Sequence, residues 1–417
     1  MKLPSLPHRT SYDLVLIAVV LTLTLLGIAM VFSASGMRAL DTLDDPRYYL
    51  AWQALWAAIG LVGMLIAMRV DYHRYRYIAL PLLFIVFVLL VLVLIPGVGV
   101  RSGGATRWLR WGPVGLQPAE LAKLALIVYL AAWLGGRREH IARPAVMLPA
   151  LVVAAALGAL VVAEPDLGTA IVIVAIAMTM YFVAGASLRL FTALSGLAAV
   201  VVVAIAIEQP YRLQRLLTFL DPWSDPRGDG FQTIQSLYGL ALGGIFGEGL
   251  GAGREKFGFL PAPYTDSIFA VLGDELGLAG TLAVIVLFFV IAYRGVAIAL
   301  RARDATGALL AAGITTWLVF QAWVNMAVVA SLVPMTGITL PFISYGGSSL
   351  CVGLIAVGIL LNVGRQAGDA PSSVSRAPRR GRDGRTHQPA PRDRRGAPRD
   401  GSRGPAPLHR WSSRQRG

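Results

Sequence analysis

Long apolar runs alternate with short polar segments over most of this chain, and their spacing predicts helices long enough to cross a membrane. About 20 mostly apolar residues span a hydrocarbon core. Runs of that kind fall at approximately residues 13–33, 50–68, 77–96, 116–134, 145–163, 168–186, 190–207, 267–293, 306–332 and 346–363. The expected fold is an all-α integral membrane protein with about ten transmembrane helices. Orientation follows from the short-loop cations. Arg69, Arg74 and Arg76 follow the second run, Arg137, Arg138 and Arg143 the fourth, Arg189 the sixth, and Arg294, Arg301 and Arg303 the eighth. Placing those loops inside predicts that both termini are cytoplasmic. The first run is as long as a spanning helix and lacks a cleavage motif, so it is read as a span and not as a signal peptide.

Four segments depart from the alternation. On the outer side, "VRSGGATRWLRWGPVG" carries Arg101, Arg107 and Arg110, cations that a short external loop should avoid. The connection 208–265 is a large extracellular loop, and loops of that length are functional or disordered. Its Trp223, Phe231, Phe246 and "GGIFGEGLGAG" predict an ordered element that lies on the membrane or dips into it. "LVPMTGITLPFISYGGSS", 332–349, is rich in Pro and Gly beside a span, which predicts a broken or re-entrant element. From residue 364 to 417 no apolar periodicity remains, so a disordered, Arg-rich cytoplasmic tail is expected. The chain then divides into a cytoplasmic segment 1–12, a polytopic membrane domain 13–363 and the tail 364–417.

Composition agrees with the pattern. The chain is 56% hydrophobic and 14% charged, against about 25% charged residues in soluble domains. The net charge of +14 would suggest nucleic acid, but fourteen Arg and four Asp lie at or beyond Arg365, so most of it belongs to the tail. No nucleic-acid partner is expected. One cysteine, Cys351, allows neither an internal disulfide nor a thiolate metal site.

Candidate chemistry sits where polar groups enter the apolar runs. In "GLQPAELAKLALIVYLAAWL" Gln117, Glu120 and Lys123 share a helix face at i, i+3 spacing. A charge at the bilayer centre costs about 2.5–3.5 kcal/mol on insertion scales, so these groups either lock helix packing as a pair or line a polar pocket. Arg107, on the same outer side, suits phosphate. In "EPDLGTA" Asp166 either caps the next helix or helps hold a cation. Arg212 and Arg215 share one helical face, and Gln232, Gln235 and Ser236 offer hydrogen bonds to a polar ligand, although an amphipathic surface helix accounts for the same pattern. Asp266 opens the eighth run after Thr265. A helix N-terminus favours its ionised form and apolar neighbours oppose it. Asp274 and Glu275 follow eight and nine residues later, about 12–14 Å along a helix, too far for a carboxylate dyad with Asp266. Pairing with Lys123 or Arg107 is one expectation for them.

Taken together, "MVFSAS", "GATRWL", "LQPAELAK", "EPDLGTA", "DPWSDPRGDGFQTIQS", "GLGAGREKFGFLPAPYTDSIFAVLGDELG" and "PFISYGGSS" resemble the SEDS family (shape, elongation, division and sporulation) in order and over residues 12–364. The "DPW" and "GLGAGREKFGFLP" segments resemble the division branch more than the elongation branch. Tyr264 stands where the family usually has His, Ala119 where it has Ser, and Asp274 where Glu is common.

The resemblance implies a peptidoglycan glycosyltransferase that polymerises lipid II at the outer face of the cytoplasmic membrane, with undecaprenyl-linked glycan as substrate and product. It also implies a class B penicillin-binding protein transpeptidase and other division proteins as partners, and location at the septum. Asp266 is the implied catalytic residue. Arg107, Gln117, Glu120, Lys123, Arg215, Gln232, Gln235, Ser236, Thr265, Glu275 and Ser344 are the candidate substrate-binding residues. A Mg²⁺ or Mn²⁺ ion is a candidate cofactor, with Asp166 a weak candidate ligand. A lipid II transporter, an elongation-type polymerase and a non-enzymatic division scaffold remain as alternatives.

Overall fold

The computed structural model describes residues 12–102, 105–112, 114–137, 140–141, 143–253, 260 and 263–368. Ten helices are long and apolar enough to cross a membrane. In chain order the helices are α1 (Leu14–Leu43), α2 (Tyr48–Arg69), α3 (Tyr75–Leu94), α4 (Pro118–Gly135), α5 (Pro144–Ala163), α6 (Leu167–Ala184), α7 (Leu188–Glu208), α8 (Pro210–Leu220), α9 (Phe231–Leu242), α10 (Ile268–Arg301), α11 (Ala305–Val329) and α12 (Gly347–Gly368). All but the short α8 and α9 correspond to the apolar runs. Their starts follow local chemistry: Asp13, Asp166, Ser187 and Asp304 cap α1, α6, α7 and α11 through side-chain oxygens. Pro118 and Pro144 open α4 and α5, where a missing N–H costs nothing. α12 continues through residues 364–368, beyond the expected boundary. The remainder of the tail and all of "REKFGF", 254–259, lie outside the described residues.

At one end of the bundle Tyr12 meets Arg365, whose guanidinium stands 5.2 Å over the ring, so both limits of the described bundle lie together. There Asp304 accepts from Tyr72 Oη at 3.1 Å, and Asn362 Nδ2 donates to Met68 O at 2.7 Å. At the other end lies a feature that the apolar pattern does not reveal. The segment between α3 and α4 forms an antiparallel sheet, β1 (Gly99–Ser102), β2 (Ala105–Trp111) and β3 (Val114–Leu116), in the order β1-β2-β3. β1 pairs Gly99 with Leu109, and β2 pairs Leu109 with Leu116.

α4 and α12 form much of the interior, whereas α7 has no buried residue and stands at the periphery. The backbone breaks twice at the sheet end. Gly277 (φ 65°, ψ −163°) interrupts α10, so the eighth run is a short arm followed by a spanning helix and not one unbroken span. Only glycine adopts that backbone readily. The amides freed by the break are satisfied from the loop after α9: Leu278 N donates to Gly244 O at 2.9 Å and Ala279 N to Ile245 O at 3.0 Å. The second break, between α11 and α12, is a buried non-helical segment including Ile338, Leu340, Phe342 and Ile343. That is the broken element expected from its Pro and Gly content.

Candidate functional site

Asp266 lies in the turn just before α10, half-buried, facing a small cavity of about 10 Å³ that is lined by residues including Gln232, Ser236, Ser267, Asn325 and Gly337. Thr265 Oγ1 donates to Asp266 Oδ1 at 3.0 Å, and Gln232 Nε2 donates to Asp266 Oδ2 at 3.5 Å and to Ser267 Oγ at 3.0 Å. Burial pushes the Asp266 carboxyl above its ordinary range, against the lowering pull of Thr265, Gln232 and the Arg215 charge. The sequence leaves that contest open, and here desolvation outweighs the hydrogen bonds. A carboxylate so raised is a better proton acceptor near neutral pH. Ser344 supports the turn from behind: its Oγ donates to Thr265 O at 2.6 Å and accepts from Leu340 N at 2.8 Å.

Arg107, on β2, reaches the same place from the opposite wall. Its guanidinium donates to the carbonyls of Glu164 and Pro165 and lies 3.7 Å from Asp166 Oδ2. Both groups approach Gly337. A Cβ there would stand 3.9 Å from Arg107 Nη1 and 3.9 Å from Asp266 Oδ2, so guanidinium and carboxylate flank the same stretch of bare backbone. Gly337 has φ +70°, which also favours the residue without a side chain. Next to this stretch opens a largely apolar cavity of about 590 Å³ between α6, α7, α8 and α11, walled by Leu167, Ile171, Phe320 and Trp323, with Arg107, Arg212 and Arg215 among its lining. Arg215 also lines a second cavity of about 210 Å³, next to Gln232. Arg212 donates to Ile205 O at 3.1 Å and Val162 O at 3.2 Å, and so anchors α8 to the ends of α7 and α5.

Other predicted residues are placed differently. Glu120 and Lys123 form a closed pair at 2.8 Å, each almost wholly buried, with Lys123 Nζ also donating to Gln321 Oε1 at 2.6 Å and lying 4.9 Å over the Trp317 ring. Ser349 Oγ donates to Glu120 Oε2 at 3.1 Å. These contacts have the geometry of the packing lock, with the charges of the pair met by protein groups. Gln117 bonds the loops, through its amide to Ser348 Oγ at 3.2 Å and its side chain to Asp166 Oδ2 at 3.4 Å. Gln235 stands outside the lining of the Asp266 cavity.

The expected pairing of Asp274 and Glu275 with Lys123 or Arg107 does not occur, since both cations are engaged elsewhere. Glu275 instead accepts from Ser33 Oγ at 2.5 Å, and the amides of Glu248 and Gly249 bond the carbonyls of Asp274 and Glu275 at 3.0 Å. The backbone carbonyls of these two residues fasten the loop after α9, and the Glu275 carboxylate bonds α1.

Among the described residues no three His, Cys, Asp or Glu side chains gather as a ligand set. Asp166 caps α6 through Thr169 N at 3.0 Å, and its other oxygen faces Arg107 and Gln117. Glu164 is fully buried, and neither of its carboxyl oxygens has a hydrogen-bond partner. Burial first, then the Asp166 charge, push it up to about 8, and Arg107 only partly offsets them. A carboxyl held neutral is a poor cation ligand.

Sequence reasoning read Gly337 only as part of a broken segment and passed over Gln321 and Asn325. The signal for the last two was a single amide in an apolar run. The signal for the glycine's place at the site was absent, because nothing local says which of many glycines two charged groups approach.

With this geometry in view, comparison with known proteins is specific. The profile of a cell cycle protein family, that of FtsW, RodA and SpoVE, matches residues 13–368. A probable peptidoglycan glycosyltransferase FtsW of Trichlorobacter lovleyi is 45% identical over 360 residues, covering 86% of this chain and 94% of the relative. Stage V sporulation protein E of Bacillus subtilis is 44% identical, covering 86% and 98%. Among solved structures, a chain from a peptidoglycan synthase complex described as coordinating polymerization and crosslinking superposes with a TM-score of 0.70 at 34% identity, covering 86% and 98%. The rod shape determining protein RodA of Thermus thermophilus superposes with a TM-score of 0.64 at 28% identity, covering 87% and 99%.

Proposed function

The chain belongs to the FtsW, RodA and SpoVE family of cell cycle proteins and is a multi-pass membrane glycosyltransferase of peptidoglycan synthesis, and from that premise we propose the reaction it carries out at the Asp266 site. The substrate is lipid II, and the product is a β-1,4 glycan strand. One observation carries this reading: the Asp266 carboxylate and the Arg107 guanidinium both approach Gly337, and Arg107 also lines a large apolar cavity. A lipid pyrophosphate bearing a sugar asks for that combination of an apolar slot, a cation in its lining and a base nearby.

In the proposed mechanism Asp266 takes the proton of the acceptor sugar's C4 hydroxyl as that oxygen attacks the donor's anomeric carbon. The bond to the pyrophosphate oxygen breaks with inversion, and the leaving group carries its electron pair as undecaprenyl pyrophosphate. Arg107 and Arg215 stabilise the charge that develops there. Thr265, Gln232 and Ser344 hold the base and its turn. A Mg²⁺ or Mn²⁺ ion, where the reaction takes one, would draw its ligands chiefly from pyrophosphate and water.

Strand synthesis from labelled lipid II by the purified chain in detergent tests this proposal. Polymer from the wild type and its loss in Asp266→Asn is the expected result. Lipid II movement only across a sealed bilayer, with no polymer, would favour a transporter. The elongation-type alternative has less support, because the division and sporulation relatives are 45% and 44% identical and the Thermus RodA chain 28%. We therefore favour septal wall synthesis at the outer face of the cytoplasmic membrane, with both termini cytoplasmic. A class B penicillin-binding protein transpeptidase is the proposed partner, supported by the match to a chain of a synthase complex.

A further inference from the structure

α11 presents Trp317, Gln321 and Asn325 on one face, four residues apart each time, and all three are buried. Gln321 Oε1 accepts from Trp317 Nε1 at 2.9 Å and from Lys123 Nζ at 2.6 Å. With its oxygen engaged, Gln321 turns its amide nitrogen to Thr339 O at 2.9 Å. One turn further on, Asn325 Nδ2 donates to Ile338 O at 2.8 Å and to Asp266 O at 2.8 Å.

The two hydrogens of a single amide thus join two segments far apart in sequence, the turn that carries the carboxylate and the broken backbone that carries Gly337. The orientation of the side chain follows from its partners. Both are carbonyl oxygens, so only the nitrogen can face them. Asn325 Oδ1, on the other side, is buried with no hydrogen-bond partner. What Asn325 supplies instead is the paired donation, and it falls on the carbonyl of Asp266 itself and on that of Ile338, next to the Gly337 that Arg107 and Asp266 both approach.

We propose that Asn325 is a positioning residue for glycosyl transfer: it fixes the Asp266 turn to the Gly337 segment and so sets where the carboxylate stands relative to Arg107. Gln321 extends the same face by holding the next carbonyl, and through it the buried Glu120–Lys123 pair bears on the site without touching substrate. The inference rests on the reaction proposed above.

Its test is lipid II polymerisation by the purified full chain carrying Asn325→Leu, which keeps the side chain's size and removes both donors. A misplacement near 1 Å costs about 10²-fold in rate. The expected result is a fall of about 10²-fold in kcat with KM unchanged in a chain that remains folded at the assay temperature though its melting temperature is lower, and partial recovery of kcat in Asn325→Gln, which retains the amide. Wild-type kcat in Asn325→Leu would overturn the inference. So would a rate loss matched by loss of folded protein, with Asn325→Gln no better. Should Asn325→Leu not accumulate folded, Asn325→Asp, of the same shape without the amide hydrogens, is read by the same constants. A wild-type chain that makes no strands would overturn the proposed reaction instead.

Discussion

Two cations at the sheet end of the bundle, Lys123 and Arg107, have similar credentials in the sequence and opposite fates in the fold. Lys123 is closed in: Glu120 neutralises it, Gln321 accepts from it and the Trp317 ring covers it. Arg107 is held only along one edge, by backbone carbonyls and Asp166, and it approaches the same glycine as Asp266 and lines the large cavity. A charge inside a membrane protein is therefore not a site by itself. What makes one is an incomplete set of protein partners beside a space of the right chemistry, and only the Arg107 side offers that.

The comparison can be broken by substitution. The largest effect is expected at Asp266, where Asn should lower strand synthesis by about 10²–10⁴-fold, the usual contribution of a positioned base, with an unchanged melting temperature. Lipid II polymerisation and a thermal melt on the same preparation check this. Arg107→Gln should lower kcat by about 10²–10³-fold, as for removal of one preorganised charge-stabilising donor. Arg107→Lys should recover little, because an ammonium cannot reproduce the planar fork.

Lys123→Met is expected to act first on stability, by about 3–5 kcal/mol, because it strands a buried Glu120. The double variant with Glu120→Leu should restore most of the melting temperature. If Lys123→Met left stability untouched and abolished activity alone, the contrast between the two cations would fail.

Gly337→Ala places a methyl beside carboxylate and guanidinium at a left-handed φ, a strain of about 1–2 kcal/mol. It should raise KM for lipid II more than it lowers the melting temperature.

The smallest effect concerns Glu164. Its folded value of about 8 lies above the model-compound 4.5, so its protonated form favours the folded state. That contribution is complete below pH 4.5 and is lost as pH rises through about 8. Thermal melts across that window should therefore decline with pH in the wild type and decline less in Glu164→Gln.

Much of the fold was legible in advance, for a physical reason. Whether a segment can cross a hydrocarbon core is decided by its own length and apolarity, so the ten spanning helices follow from the chain alone. The same holds for Pro118 opening α4 and Asp166 capping α6, which are local choices. The sheet between α3 and α4 escaped because its short strands carry Gly, Arg and Trp without an apolar alternation. Gly277 escaped because apolar composition continues unchanged across the break.

At the site, the sequence by itself determined which residues were eligible: Asp266, Arg107, Lys123, Glu120, Asp274 and Glu275 are the polar groups that apolar surroundings make conspicuous. Tertiary structure alone decided their roles. Glu120 lies one turn from Lys123 and pairs with it, whereas Arg107 and Asp266 come from distant parts of the chain to the same Gly337, and Asn325 joins two carbonyls that only the folded backbone brings within reach of one amide. Partnership between distant groups depends on where helices and broken loops stop relative to one another, and no local pattern of residues carries that information.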